Sequence, residues 1–190
     1  MKKITIALIM VISLIAPIQT MAESVTQNGT IIEPLEQNIE QIIDEITSEP
    51  RPINSDAIQN VKEYISEYFG NLGYDNIEYQ KFEYNDENNE NAIRHSSQAD
   101  VFLASTAEDA IVDGIGENII VTKNSSIDTT KNLIISAHYD SAEDSVGAND
   151  NGSGVAAVLE LARILKDTEI PYNIKFILFS GEEKYMLGSR

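Results

Sequence analysis

The sequence predicts an α/β fold built on a mostly parallel central sheet, and three observations within residues 132–190 carry that prediction. Residues 133–137 form a short run, apolar except for Ser136, the pattern of a short strand buried on both faces. Val155, Val158, Leu159, Ala162 and Leu165 then recur at helical spacing, with Glu160, Arg163 and Asp167 on the opposite, polar side. Residues 174–179 are apolar except for Lys175 and read as a second strand. Strand, helix, strand makes a right-handed crossover. Both strands then finish on one sheet edge, where open α/β sheets place their sites.

The chain has 190 residues, 42% of them apolar, enough for a globular core. It has no cysteine, which excludes disulfides and thiolate metal sites. Its formal charge of −18 argues against nucleic acid as a partner. Lys2 and Lys3 precede an apolar run over residues 4–18, and Thr20-Met21-Ala22 offers a cleavage site, so residues 1–22 read as an export signal. Membrane contact is expected only through that signal. Residues 1–22 hold two lysines and no acid, so their removal takes the charge to −20.

Residues 23–30 are polar. Leu35, Ile39, Ile42, Ile43 and Ile46 share a helical face, which Pro34 opens and Pro50 and Pro52 close. Residues 23–53 are therefore either a propeptide or an N-terminal helix and linker ahead of a domain at 54–190. Asn54 or Ser55 can cap a second helix, whose stripe runs through Ala57, Val61, Tyr64, Ile65, Tyr68, Phe69 and Leu72 to Gly70 and Gly73. Residues 77–84 read as a strand in which Phe82 and Tyr84 face away from Ile77 and Tyr79, an arrangement that allows a bulge. Residues 85–91 are an acidic polar loop, and residues 100–104 and 118–121 are further short strands. His95 reads as a surface histidine. Three Asn-Xaa-Ser/Thr triplets, at Asn28, Asn124 and Asn151, match a pattern too common to carry weight.

The crossover gathers chemistry at one edge. His138 follows the first strand, Glu182 and Glu183 follow the second, and Asp140 and Asp150 lie between strand and helix. Imidazole with carboxylates and no thiolate suits catalytic zinc or a similar divalent ion. Asp150, at a loop-to-helix junction, can bridge two ions through its two oxygens. Asp140, two residues past His138, can accept a hydrogen bond from the second ring nitrogen and so orient the ring. Of two adjacent glutamates, one can coordinate while the other accepts a proton. Each piece alone is weak, since a strand-end histidine or a Glu-Glu pair is usually solvated surface. Their order and contexts together are far more specific.

Ala137-His138-Tyr139-Asp140-Ser141, Gly147-Ala148-Asn149-Asp150-Asn151-Gly152-Ser153-Gly154 and Ser180-Gly181-Glu182-Glu183, followed by Leu187-Gly188-Ser189, resemble the zinc aminopeptidases of family M28. The likeness covers roughly residues 54–190. It implies a three-layer zinc-exopeptidase fold, phosphorylase/hydrolase-like, with two zinc ions and peptide substrates bearing a free amino terminus. By motif, His138 resembles a ligand of the first zinc, Asp150 the bridging ligand and Glu183 a ligand of the second. Glu182 resembles the general base and Asp140 the partner of the histidine. The family's sites also need an aspartate and a histidine well downstream, whereas this sequence stops at Arg190, seven residues past Glu183. The expectation is a secreted enzyme's N-terminal portion, inactive by itself. The rivals are a non-catalytic interaction module and a zinc acyltransferase of the glutaminyl cyclase kind.

Overall fold

Among the described residues seven α-helices and strands follow one another in chain order: α1 (Glu36–Ile46), α2 (Asp56–Asn71), β1 (Ile77–Tyr84), β2 (Gly114–Lys123), β3 (Asn132–His138), α3 (Ser153–Leu165) and β4 (Asn173–Phe179). They come from a computed structural model that describes residues 34–84 and 114–190. The export signal expected at 1–22, the polar stretch 23–30, the loop expected at 85–91, His95 and the strand expected at 100–104 lie outside the described residues. All seven elements belong to the unit Leu35–Arg190.

The strands form a mixed sheet in the order β1-β2-β4-β3. Its parallel pair is β3 with β4, the two strands the crossover joins, in a register from Asn132↔Asn173 to His138↔Phe179. β2 runs antiparallel to both β1 and β4. β3 is the end strand among the described residues, which explains why its apolar run is not covered on both faces. Leu133 and Ile134 are exposed, and burial begins only at Ala137.

β1 pairs residue for residue with β2 and needs no bulge. Ile77 packs toward the core, while Phe82 and Tyr84 lie across Gly116 and Gly114 on the other face. A Cβ on Gly116 would stand 2.2 Å from the Phe82 ring. Those glycines also explain why β2 extends four residues before the expected 118: they break the hydrophobic pattern but not the ladder.

The core lies where α1, α2 and α3 meet the sheet. Ile42, Ile46, Ile65, Phe69, Val155, Leu159, Ile174, Phe176 and Leu178 are all buried in it. Phe69, Tyr74 and Phe176 form an aromatic trio with centroids 5.5, 5.7 and 5.8 Å apart. Burying each large side chain contributes about 1.5–3 kcal/mol. Ser55 caps α2 by accepting the Ile58 N–H at 3.1 Å.

Glu160 departs from its place on the polar side of α3. It is buried, and both oxygens are used. Arg163 donates to it at 2.7 and 2.9 Å, and from α1 come the Leu35 N–H at 2.8 Å and the Asn38 amide at 2.5 Å. A carboxylate placed at a helix N-terminus satisfies amides that lack intrahelical partners. Glu160 thus fastens the start of α1 onto α3.

Candidate active site

Parallel pairing brings the ends of β3 and β4 to one edge, and each strand continues into an anchored loop. Beyond β3 the Tyr139 N–H still bonds Phe179 O at 2.9 Å, and the buried Tyr139 hydroxyl donates to Glu117 O at 2.8 Å. Beyond β4, Asn118 accepts the Ser180 N–H at 3.0 Å and donates to Gly188 O at 2.6 Å. The turn after β4 is thereby folded back, with Leu187 N–H on Gly181 O at 2.8 Å.

His138 is the hub. Its Nε2 lies 3.0 Å from Asp150 Oδ1 and 3.8 Å from Glu182 Oε2. Its buried Nδ1 faces Asp140 Oδ1 at 3.4 Å, an ion-pair contact without an aligned hydrogen bond. Burial pushes the imidazole pKa down, but Asp140, Glu182 and Asp150 outweigh it and raise it to about 9. Asp140 is fully buried and accepts the backbone N–H groups of Glu182 and Glu183. Asp150 is exposed at the rim, on the turn Ala148–Gly152 that leads into α3. Gly152 is the N-cap of that helix, and one residue ahead of it Asn151 Oδ1 accepts the Gly154 N–H at 3.1 Å. Glu183 is exposed beside the others. Desolvation, then Asp150 and Glu182, hold its carboxyl above the usual range. A cleft of about 260 Å³ opens here, lined by Pro52, Ile53, Asp140, Glu143, Glu183 and Tyr185 among others.

All five residues named from the sequence therefore meet at this edge. Two donors bound at about 2.0 Å to one tetrahedral zinc stand about 3.3 Å apart. The His138–Asp150 separation of 3.0 Å fits that spacing, and so does the chemistry of the pair. The five do not close into a cage: among the described residues no group of three or more His, Asp or Glu is arranged to hold an ion. The residues fit a zinc centre in kind and in the spacing of this one pair.

Arg51 was not expected here. In sequence it is an arginine between two prolines of a linker, with nothing to mark it. In the structure it is fully buried behind the site. Its Nε donates to Tyr139 O at 2.7 Å, its two terminal nitrogens donate to Val146 O and Gly147 O, and its backbone N–H donates to Ser141 Oγ at 3.0 Å.

Comparison with known proteins bears on the same stretch. The family model described as "Peptidase family M28" matches residues 118–190. Aminopeptidase YwaD of Bacillus subtilis is 43% identical over 81 residues, 42% of this chain and 18% of that protein. A vacuolar membrane protease of Schizosaccharomyces japonicus is 31% identical over 150 residues, 78% of this chain and 16% of its own length. The chain thus spans less than a fifth of either curated relative. Among solved structures, an aminopeptidase from Aneurinibacillus sp. strain AM-1 superposes with a TM-score of 0.63 at 18% identity, covering 82% of this chain and 65% of that one. A glutaminyl cyclase of Porphyromonas gingivalis superposes at 0.56 with 19% identity, covering 76% and 44%. These two likenesses concern the fold. The family match spans most of β2, all of β3, α3 and β4, and all five edge residues, and over that stretch the chain belongs to peptidase family M28.

Proposed function

We propose that this chain carries part of the centre of a secreted di-zinc aminopeptidase, which hydrolyses the peptide bond next to a free amino terminus. The observation that carries the reading is the His138 Nε2 to Asp150 Oδ1 pair at 3.0 Å, at the mouth of the parallel strands. His138 and Asp150 would hold the first zinc, and Asp150 and Glu183 the second. Zinc supplies Lewis acidity, polarising a carbonyl and lowering the pKa of water. Glu182 Oε2 accepts a proton from the attacking water and passes it to the leaving amine. Asp140 holds the His138 ring and, through two backbone amides, the loop of both glutamates. Catalytic zinc normally takes three protein ligands plus water. The three ligands assigned here, with Asp150 shared, give each ion two. Residues 1–190 alone are therefore expected to bind zinc weakly and to turn over no substrate.

The test is calorimetric titration of the chain with zinc, beside assays on leucine amide. Zinc binding should fall at least tenfold in His138→Ala and in Asp150→Ala. Unchanged binding in both variants sinks the assignment. Tight binding of two zinc ions with turnover refutes the expected inactivity. Cyclisation of an N-terminal glutaminyl peptide in place of amide hydrolysis would favour the acyltransferase reading, for which the likeness to glutaminyl cyclase folds speaks.

A further inference from the structure

We propose that Arg51 is a positioning residue that fixes the gap between His138 and Asp150, and hence the zinc affinity of the site. The inference rests on the zinc reading above. The loop from Tyr139 to Gly147 separates the two residues, and the Arg51 guanidinium is bonded to both of its ends. Nε holds Tyr139 O, one residue after His138, while the terminal nitrogens hold Val146 O and Gly147 O, four and three residues before Asp150. Between those ends the Arg51 backbone makes two more bonds, N–H to Ser141 Oγ at 3.0 Å and C=O from Ser141 N–H at 3.3 Å.

The turn that follows is built against the same side chain. Gly147 has φ +57°, and a Cβ there would meet Asp150 O at 2.5 Å, Ser141 Cβ at 2.7 Å and the Arg51 guanidinium at 3.4 Å. A Cβ on Gly152 would stand 3.7 Å from the same guanidinium. The turn bearing Asp150 is thus seated directly on Arg51.

Only arginine meets this demand. Its planar fork reaches three carbonyls spread over nine residues of chain, Tyr139 to Gly147, whereas a lysine ammonium is a point donor. Desolvation lowers the guanidinium pKa, and the nearby charges of Asp140 and Glu183 act the other way. Among the described residues no carboxylate pairs with it directly. A buried cation with only carbonyl partners is costly to keep, and it lies close to the acidic residues that would bind the metal.

The experiment uses the 190-residue chain with Arg51→Lys and the milder Arg51→Gln, zinc ions alone as the probe, and three readouts. Zinc affinity of the folded fraction should fall about 10- to 100-fold in both variants, the range for outer-shell partners of metal ligands. Amide hydrogen exchange should speed up at residues 139–152 ahead of the rest of the unit. The melting temperature reports the purely structural share. A drop in melting temperature with zinc affinity within twofold of the parent overturns the proposal, because it makes Arg51 a stability residue only. Full affinity in Arg51→Lys overturns it too, because charge alone then suffices. If the parent binds no zinc, the peptidase reading fails by itself. The clamp is then judged by exchange, and unchanged or uniformly faster exchange in Arg51→Gln refutes it.

Discussion

Asp140 Oδ2 accepts the backbone N–H of Glu183 at 3.1 Å, and Oδ1 takes the N–H of Glu182 at 3.2 Å. One buried carboxylate at the end of β3 thereby holds the two amides after β4. Asp140 also faces His138 Nδ1 from the same oxygen that serves Glu182. The histidine and the amides of both glutamates are thus held by one carboxylate.

Asp140→Asn should therefore do more than disturb the ring. Asparagine offers one acceptor oxygen and turns an NH₂ toward the other N–H, leaving a buried donor unpaired. The expected loss is about 3 kcal/mol of stability, with zinc binding weakened as well. Denaturant unfolding beside zinc titration measures both. A stability change under 1 kcal/mol would mean that the two amides are satisfied without the charge.

The two glutamates should separate by function. Glu182→Gln removes a proton acceptor and should leave zinc affinity within about twofold, with most turnover lost wherever turnover can be measured. Glu183→Gln should weaken zinc itself. Equal loss of zinc in both variants would refute the division of labour.

The parallel pair was legible in the sequence because both strands are apolar runs around a helix of clear period. Four residues of the candidate site were legible because they lie at or within four residues of those strand ends, and Asp150 because it heads the helix between them. Arg51, Asn118 and Glu160 were not legible. Each acts through backbone atoms 62 to 125 residues away, and no local pattern records such a partner. Glu160 was assigned to the polar side of α3 because periodicity reads polarity, and a carboxylate satisfied by four donors looks the same in sequence as a solvated one. β2 was foreshortened for a related reason: Gly114 and Gly116 carry no hydrophobic signal, yet they make room for Phe82 and Tyr84.

Alkaline pH should loosen the core through its tyrosines. The Tyr74 hydroxyl donates to Ala162 O at 3.0 Å, and burial, then Asp167, raises its pKa from 10.0 to about 12. Burial moves Tyr139 in the same direction. The unfolded chain releases the Tyr74 proton near pH 10, while the fold keeps it to about 12. Between those values the folded state binds more protons, so stability falls as pH rises. The contribution is complete below pH 10 and amounts to about 2–3 kcal/mol for Tyr74. Tyr74→Phe should make the loss between pH 10 and 12 shallower, with Tyr139 carrying the remainder. A slope identical to the parent's in urea titrations at pH 9, 10.5 and 11.5 would contradict this account.

The last prediction concerns where the mature chain begins. If residues 1–22 are the export signal that their sequence suggests, the new N-terminus lies at or near Glu23, upstream of α1. The alternative, loss of residues 23–53 as a propeptide, carries a definite physical cost. It would strip Ile42 and Ile46 from the core, each worth about 1.5–3 kcal/mol when fully buried. It would leave Glu160 with Arg163 as its remaining partner and release the carbonyls of Tyr139, Val146 and Gly147 from Arg51. Domains of this size are typically stable by only about 5–15 kcal/mol. A chain starting at Asn54 should therefore be unfolded or molten, with rapid exchange throughout, while one starting at Glu23 should match the parent. N-terminal sequencing of exported protein, beside circular dichroism and exchange on the two shortened chains, decides the matter. A folded, zinc-binding chain that begins at Asn54 would overturn both this prediction and the role given to Arg51.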